Sequence, residues 1–355
     1  MNTKLKAVVA VLLAVLLCVP ATVVPAFAQE IDGETEAVGE QSLVEYVDED
    51  GVTQQASAVS VTPPVTEWAA GWYAVTADTS TFLRITCTGD VNLILCDGAT
   101  LTSDSGITVN EGSSLTVYGQ SAVTVALTVE GYSSTDSVEE AFIGGKNGKN
   151  SGTITFNGGV INVTSRSSCF YAAAIGGGTE GKGYVTINGG TVNVIIAPYR
   201  GATSEYPPYS SETKAMVYGA AIGGGASGNG FVDVTGGTVN AEISNPDADG
   251  AAIGGGTVTA TTNGYGTGVG GGYYGRANVV INGGNVTATT ESDGAGVGAA
   301  FVGNADVVIN GGNVNASSIG CGVIGGGTVE LSWTNAVDSL YSGGIHRNRH
   351  AGKRI

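Results

Sequence analysis

The residue types that do chemistry are present in this chain, but few of them fall into a chemically useful pattern. Gly176, Gly181 and Lys182 have the spacing of a phosphate loop. Gly183, however, stands where a Ser or Thr hydroxyl is needed, and no helix-period segment follows. Gly266, Gly268 and Gly271 fit GxGxxG, a chance match in a chain with 59 Gly among 355 residues. Glycoside hydrolysis needs two carboxylates about 5–10 Å apart. The acids of the repeated region are scarce, and Asp233 and Asp306 occupy different phases of their units. Both histidines, His346 and His350, fall in the last residues, so the repeats cannot supply a Ser-His-Asp or zinc constellation. Catalysis is not expected.

Two other constellations remain. Asn245-Pro246-Asp247-Ala248-Asp249-Gly250 places alternate oxygen ligands before a turn glycine, as in the first half of a calcium loop. Gly256 stands where the bidentate Glu belongs, so the segment reads either as a calcium site on Asn245, Asp247 and Asp249 or as a solvated acidic turn. The second constellation is aromatic. Tyr199, Arg200, Tyr206 and Tyr209 lie together, with Tyr218 just beyond, and Tyr265, Tyr273, Tyr274 and Arg276 form a later group. Aromatic rings with polar tips suit sugars and protein partners. The alternative is that these tyrosines pack corners.

The elements that must hold these residues are set by internal repetition. Asn157-Gly158-Gly159 recurs as Asn188-Gly189-Gly190, Thr235-Gly236-Gly237, Asn282-Gly283-Gly284 and Asn310-Gly311-Gly312. Aligning these units gives apolar columns. Ile154, Val185, Val232, Val279 and Val307 form one, and Phe156, Ile187, Val234, Ile281 and Ile309 another. Beyond the glycines come Ile161, Val192, Val239, Val286 and Val314, then Val163, Val194, Ala241, Ala288 and Ala316. The period of two places each set on one face of a strand, and the glycine pair between them supplies a corner. A unit of about 30 residues cannot bury its apolar face alone, so equivalent units must stack. The expected fold is an all-β, right-handed parallel β-helix of about ten coils with glycine-rich corners. Asn columns (157, 188, 282, 310 and 162, 193, 240, 315) predict amide ladders along the stack, or, for the first column, mere turn preference. Ile143-Gly144-Gly145 and its counterparts at Ile175, Ile222, Ile253 and Ile324 predict a further side of each coil. Residues 197–214 and 258–268 read as insertions that carry the tyrosines.

The ends differ. Lys4 and Lys6, an apolar run of about 13 residues and Ala26-Phe27-Ala28 make a signal peptide over 1–28; a spanning helix needs about 20 apolar residues. Residues 29–64 carry many acids and no Lys or Arg, and are expected to be a disordered acidic linker with at most a short strand near Leu43–Val47. N-terminal coils are expected over 65–135 and glycine-rich repeat coils over 136–338. An atypical basic tail over 339–355 reads as either a truncated or frame-shifted end or a genuine basic segment. The formal net charge of −17 argues against nucleic acid and anionic membranes as partners. After cleavage four cysteines remain, too few for a disulfide framework. Cys87 and Cys96 either face each other on neighbouring turns or are free thiols.

The run Val91 to Leu101, the strands at Ile107–Val109 and Ser114–Tyr118, and the Ala-Ile-Gly-Gly-Gly and Ile-Asn-Gly-Gly-x-Val units resemble the secreted, adhesin-like carbohydrate-binding β-helix proteins of anaerobic gut bacteria. The resemblance covers about residues 45–333. It implies a secreted or cell-surface, non-catalytic protein whose partner is an extracellular polysaccharide or a host or neighbour surface glycan. Related calcium-dependent binders would imply an acidic or cellulosic ligand. A structural stalk without a specific ligand is the alternative, and a polysaccharide lyase or hydrolase a distant third.

Overall fold

Alternating apolar and polar residues set the strands, and in the computed structural model these strands stack almost entirely in parallel. The structure describes residues 40–63, 66–121, 126–131, 137–165, 167, 169–196, 216–243, 257–262, 269–271, 276–281, 285–290, 297–299, 304–309, 313–316, 319–320, 327–331, 339–342 and 345–346. Among them there is no helix. An 11-stranded first sheet and a 10-stranded second sheet dominate. Short strands of a six-stranded third sheet close the coils in the N-terminal part, and a four-stranded sheet occupies the later coils. Apart from one hairpin, every strand pairing is parallel, the pattern of a β-solenoid.

The path of one coil shows how sequence becomes structure. Gly183–Ile187 runs in the first sheet, Asn188-Gly189-Gly190 turns the corner, and Thr191–Ile196 runs in the second. The second glycine of this corner has φ near +78° at Gly159 and Gly190, and +77° at Gly237, a conformation that disfavours any Cβ. The predicted columns lie in register. Ile154 pairs with Val185, Val185 with Val232, Val232 with Val279 and Val279 with Val307. Phe156, Ile187, Val234, Ile281 and Ile309 follow beside them. Those whose side chains are described fill a continuous core, with Ile154, Phe156, Ile161, Ile187 and Val192 fully buried. Burial of each contributes about 1.5–3 kcal/mol.

The third sheet depends on close backbone approach. Ile143, Ile175 and Ile222 stack, and the following Gly144, Gly176 and Gly223 pair directly. A Cβ on Gly144 would collide with the Gly176 carbonyl oxygen, and one on Gly176 with that of Gly223. Ile253 and Ile324 lie outside the described residues.

Both Asn columns form ladders. Asn188 Nδ2 donates to Asn157 Oδ1 at 2.9 Å, and Thr235 Oγ1 to Asn188 Oδ1 at 2.8 Å. In the second column Asn193 donates to Asn162 and Asn240 to Asn193, each at 2.8 Å.

Three expectations change. The acidic linker expected up to residue 64 is, from Gln41 to Ser60, an antiparallel hairpin that joins the first sheet beside Gly71–Val75. Its apolar positions explain why. Val44, Ala56 and Ala58 pack with Ala74 and Ile94, and Tyr46 packs on Trp72 and Tyr118. The acids collect at the solvated turn, where Asp48 accepts the Val52 N–H at 2.8 Å and Gln54 Nε2 at 2.9 Å. These bonds hold its carboxyl below the usual range. Second, the segment read as an insertion from 258 begins with a regular rung. Thr257–Thr262 sits between Thr238–Ile243 and Asn285–Thr290 in the second sheet, because Val258 and Ala260 continue the columns of Val239 and Ala241. The first sheet has no matching strand there, since Asn229–Val234 pairs directly with Arg276–Ile281. Third, the residues expected to leave the stack at 339 still extend it. Leu340 lies in register with Val314, and Ile345 with Ile319.

Candidate binding surface

The described strand before the first expected insertion ends at Ile196, and the next described strand, Met216–Val217, pairs in a three-stranded sheet with Cys169–Phe170. Tyr218 follows at once. Its N–H donates to the Phe170 carbonyl at 2.8 Å. Its ring stacks on Tyr171, with centroids 5.0 Å apart and planes 24° from parallel. Both residues are half-buried. Beneath them Phe170 stacks in the core on Phe142 at 5.6 Å. Tyr218 is thus the described member of the predicted aromatic group. Tyr199, Arg200, Tyr206, Tyr209, Tyr265, Tyr273 and Tyr274 lie outside the described residues, as do Asn245, Asp247 and Asp249 of the calcium candidate. Among the described residues no group of three His, Cys, Asp or Glu could hold a metal ion.

The structure adds aromatic residues that sequence reasoning passed over. Tyr184 and Phe231 pair in register on the outer side of the first sheet and stack at 5.1 Å, only 7° from parallel. Each precedes a core valine, Val185 or Val232, so the period-two signal that revealed the inward column also marked this outward one. Tyr171 and Tyr218 also occupy equivalent positions, each four residues before a stacked isoleucine, Ile175 or Ile222. In each pair the rings stack face on face, and all four residues stay partly exposed. The hairpin covers a third aromatic group, in which Trp72 stacks on Tyr118 at 5.4 Å. Gln120 Nε2 reaches the Glu45 carbonyl at 2.9 Å, and Asn157 Nδ2 reaches Glu49 at 3.4 Å. Burial and the nearby Tyr46 and Glu49 raise the Tyr118 hydroxyl pKa.

No family model, curated protein or solved structure matches the chain.

The described polar groups read as structural. Arg84 donates to Thr108 Oγ1 at 2.6 Å, to the Ser105 carbonyl at 2.7 Å and to the Ala141 carbonyl, tying neighbouring coils together. Glu140 lies 3.5 Å away. Burial lowers the Arg84 pKa and Glu140 opposes the shift. Asp233 and Asp306 fall in different columns, facing Val280 and Asn278 respectively, so they form no carboxylate pair along the stack. Cys87 and Cys96 are both free thiols. Burial, aided by Glu67, pushes the Cys87 thiol up to about 12, so it is neither ionised nor nucleophilic at neutral pH.

Proposed function

We propose that this protein is a secreted or cell-surface, non-catalytic glycan-binding module of the adhesin-like kind, built on a right-handed solenoid of about ten coils. The observation that carries the reading is the Tyr171–Tyr218 pair at the root of the first insertion. In the sequence, Tyr199, Arg200, Tyr206 and Tyr209 closely precede Tyr218 of this partly exposed pair, and rings with polar tips are suited to sugars. The second loop, with Tyr265, Tyr273 and Tyr274, would extend the same surface, and calcium held by Asn245, Asp247 and Asp249 would brace it. Glycan-array binding of the secreted protein, with and without calcium, tests the reading. Binding that is lost when Tyr206 and Tyr209 are replaced by Ala supports it.

A second reading is a ligand-free stalk. The stacking of Tyr171 on Tyr218 and of Tyr184 on Phe231 favours it, because rings engaged with each other also serve as ladders. Absence of binding to every glycan on the array would select this reading. Turnover of polygalacturonate would overturn both.

A further inference from the structure

The outer face of the second sheet has a chemistry of its own. Two columns run through it in register, one from Thr100 to Thr257 and the other from Thr102 to Asn315, and the side chains described in them point outward. Apart from Ala126 and Val160, every position in both is Thr or Asn, and none is charged in a chain of net charge −17. The first sheet's outer face differs, for it carries the hairpin, the Tyr184–Phe231 pair and Asp233. On the second sheet the described members of the two columns are half-exposed or exposed, Asn240 and Asn315 most clearly.

The geometry is repetitive and fixed. Rungs recur about every 4.8 Å, and outward neighbours within a strand lie about 6.6 Å apart. The 2.8 Å bonds from Asn240 to Asn193 and from Asn193 to Asn162 lock the amides in one orientation. Each amide keeps a second N–H and a carbonyl lone pair for a partner, while each Thr hydroxyl both donates and accepts. Such a row matches hydroxyl groups that donate and accept at regular intervals along an extended polymer. Glu130 and Glu242 flank the columns and would repel an anionic chain.

We propose that this face docks an uncharged, extended polysaccharide lying along the Thr and Asn columns. The proposal rests on the glycan-binding reading above and adds the second sheet as the surface along which the polymer lies. The test is retention of the full secreted protein on microcrystalline cellulose and insoluble chitin, with soluble polygalacturonate as the anionic comparison. Thr191→Lys with Thr238→Lys places two ammonium groups under the polymer without removing a ladder amide. Retention on the neutral solid is expected to fall more than about tenfold. Thr191→Ser with Thr238→Ser keeps the hydroxyls and should bind as the parent does. If the lysine pair does not fold, Thr238→Gln, longer but neutral, should weaken retention in the same direction. Undiminished binding by a folded lysine pair, or binding to polygalacturonate alone, overturns this proposal and leaves the glycan-binding reading standing. Binding to no glycan overturns both.

Discussion

Replacing Asn193 tests whether the amide column stabilises the stack or merely decorates it. Its side chain donates to Asn162 Oδ1 and accepts from Asn240 Nδ2, both at 2.8 Å. Asn193→Ala removes both bonds. A net intramolecular hydrogen bond contributes about 0.5–1.5 kcal/mol, so the loss should be about 1–3 kcal/mol, toward the lower end because the site is half-exposed. Asn162→Ala removes one bond of that length and a marginal contact of 3.5 Å to Thr128, so it should cost roughly half as much. Asn193→Asp keeps the shape and still accepts from Asn240, but it loses the donor and sets a carboxylate against the Asn162 oxygen. It should be at least as damaging as Ala at pH 7. Urea denaturation followed by far-UV circular dichroism gives the ordering, with Thr191→Ala as the outward control. Coupling between Asn193→Ala and Asn240→Ala should be non-additive, since the two share a bond. If Asn193→Ala costs no more than Thr191→Ala, asparagine is there only for local backbone preference and the ladder argument fails.

Three further outcomes follow from local geometry. Gly176→Ala should abolish folding or cost more than about 3 kcal/mol, because its φ is +132° and the new Cβ meets the Gly223 carbonyl; yield of soluble secreted protein and melting temperature report it. Glu180→Gly should stabilise by up to about 1 kcal/mol, since Glu180 holds φ +60° where the preceding coil has Gly148 at +68°; a melting temperature that does not rise refutes this. Cys87 should resist thiol reagents in the native protein while half-buried Cys96 reacts first. Because the folded Cys87 pKa lies above the unfolded value of 9.0, its contribution to stability is complete below pH 9 and is lost as pH rises toward about 12. Cys87→Ala should flatten that part of the stability–pH curve.

The apolar columns, the corners and the Asn ladders were legible because a stacked fold writes each contact into the sequence at a constant offset. Ile154, Val185 and Val232 are neighbours in space for the same reason that they align as text. The hairpin was not legible in this way. Its acids crowd the stretch from Glu45 to Asp50, and what orders it is a docking surface, Trp72, Ile94 and Tyr118, that belongs to other strands and shows no repeat. The rung at Thr257–Thr262 was hidden by its missing partner in the first sheet, since repeats were counted by the Asn-Gly-Gly corner and this rung has none. The Tyr184–Phe231 pair is written in the alignment as the outward neighbour of the Val185 and Val232 column, but an outward aromatic carries no burial signal to single it out.

The glycine columns carry a consequence for how such a chain can change over generations. Gly144 and Gly176 tolerate no side chain because each lies against the carbonyl of the coil beyond it. A single inserted or deleted codon within a unit would slide a side chain into one of these contacts and turn the core valines outward. Recombination between equivalent points of two units, such as Asn157 and Asn188, 31 residues apart, adds or removes a whole coil and leaves every contact of the remaining coils intact. The gene can therefore lengthen or shorten its product by misaligned copying, while the interior of each unit is closed to insertions and deletions. Length can vary between close kin far more readily than the wording of any one repeat.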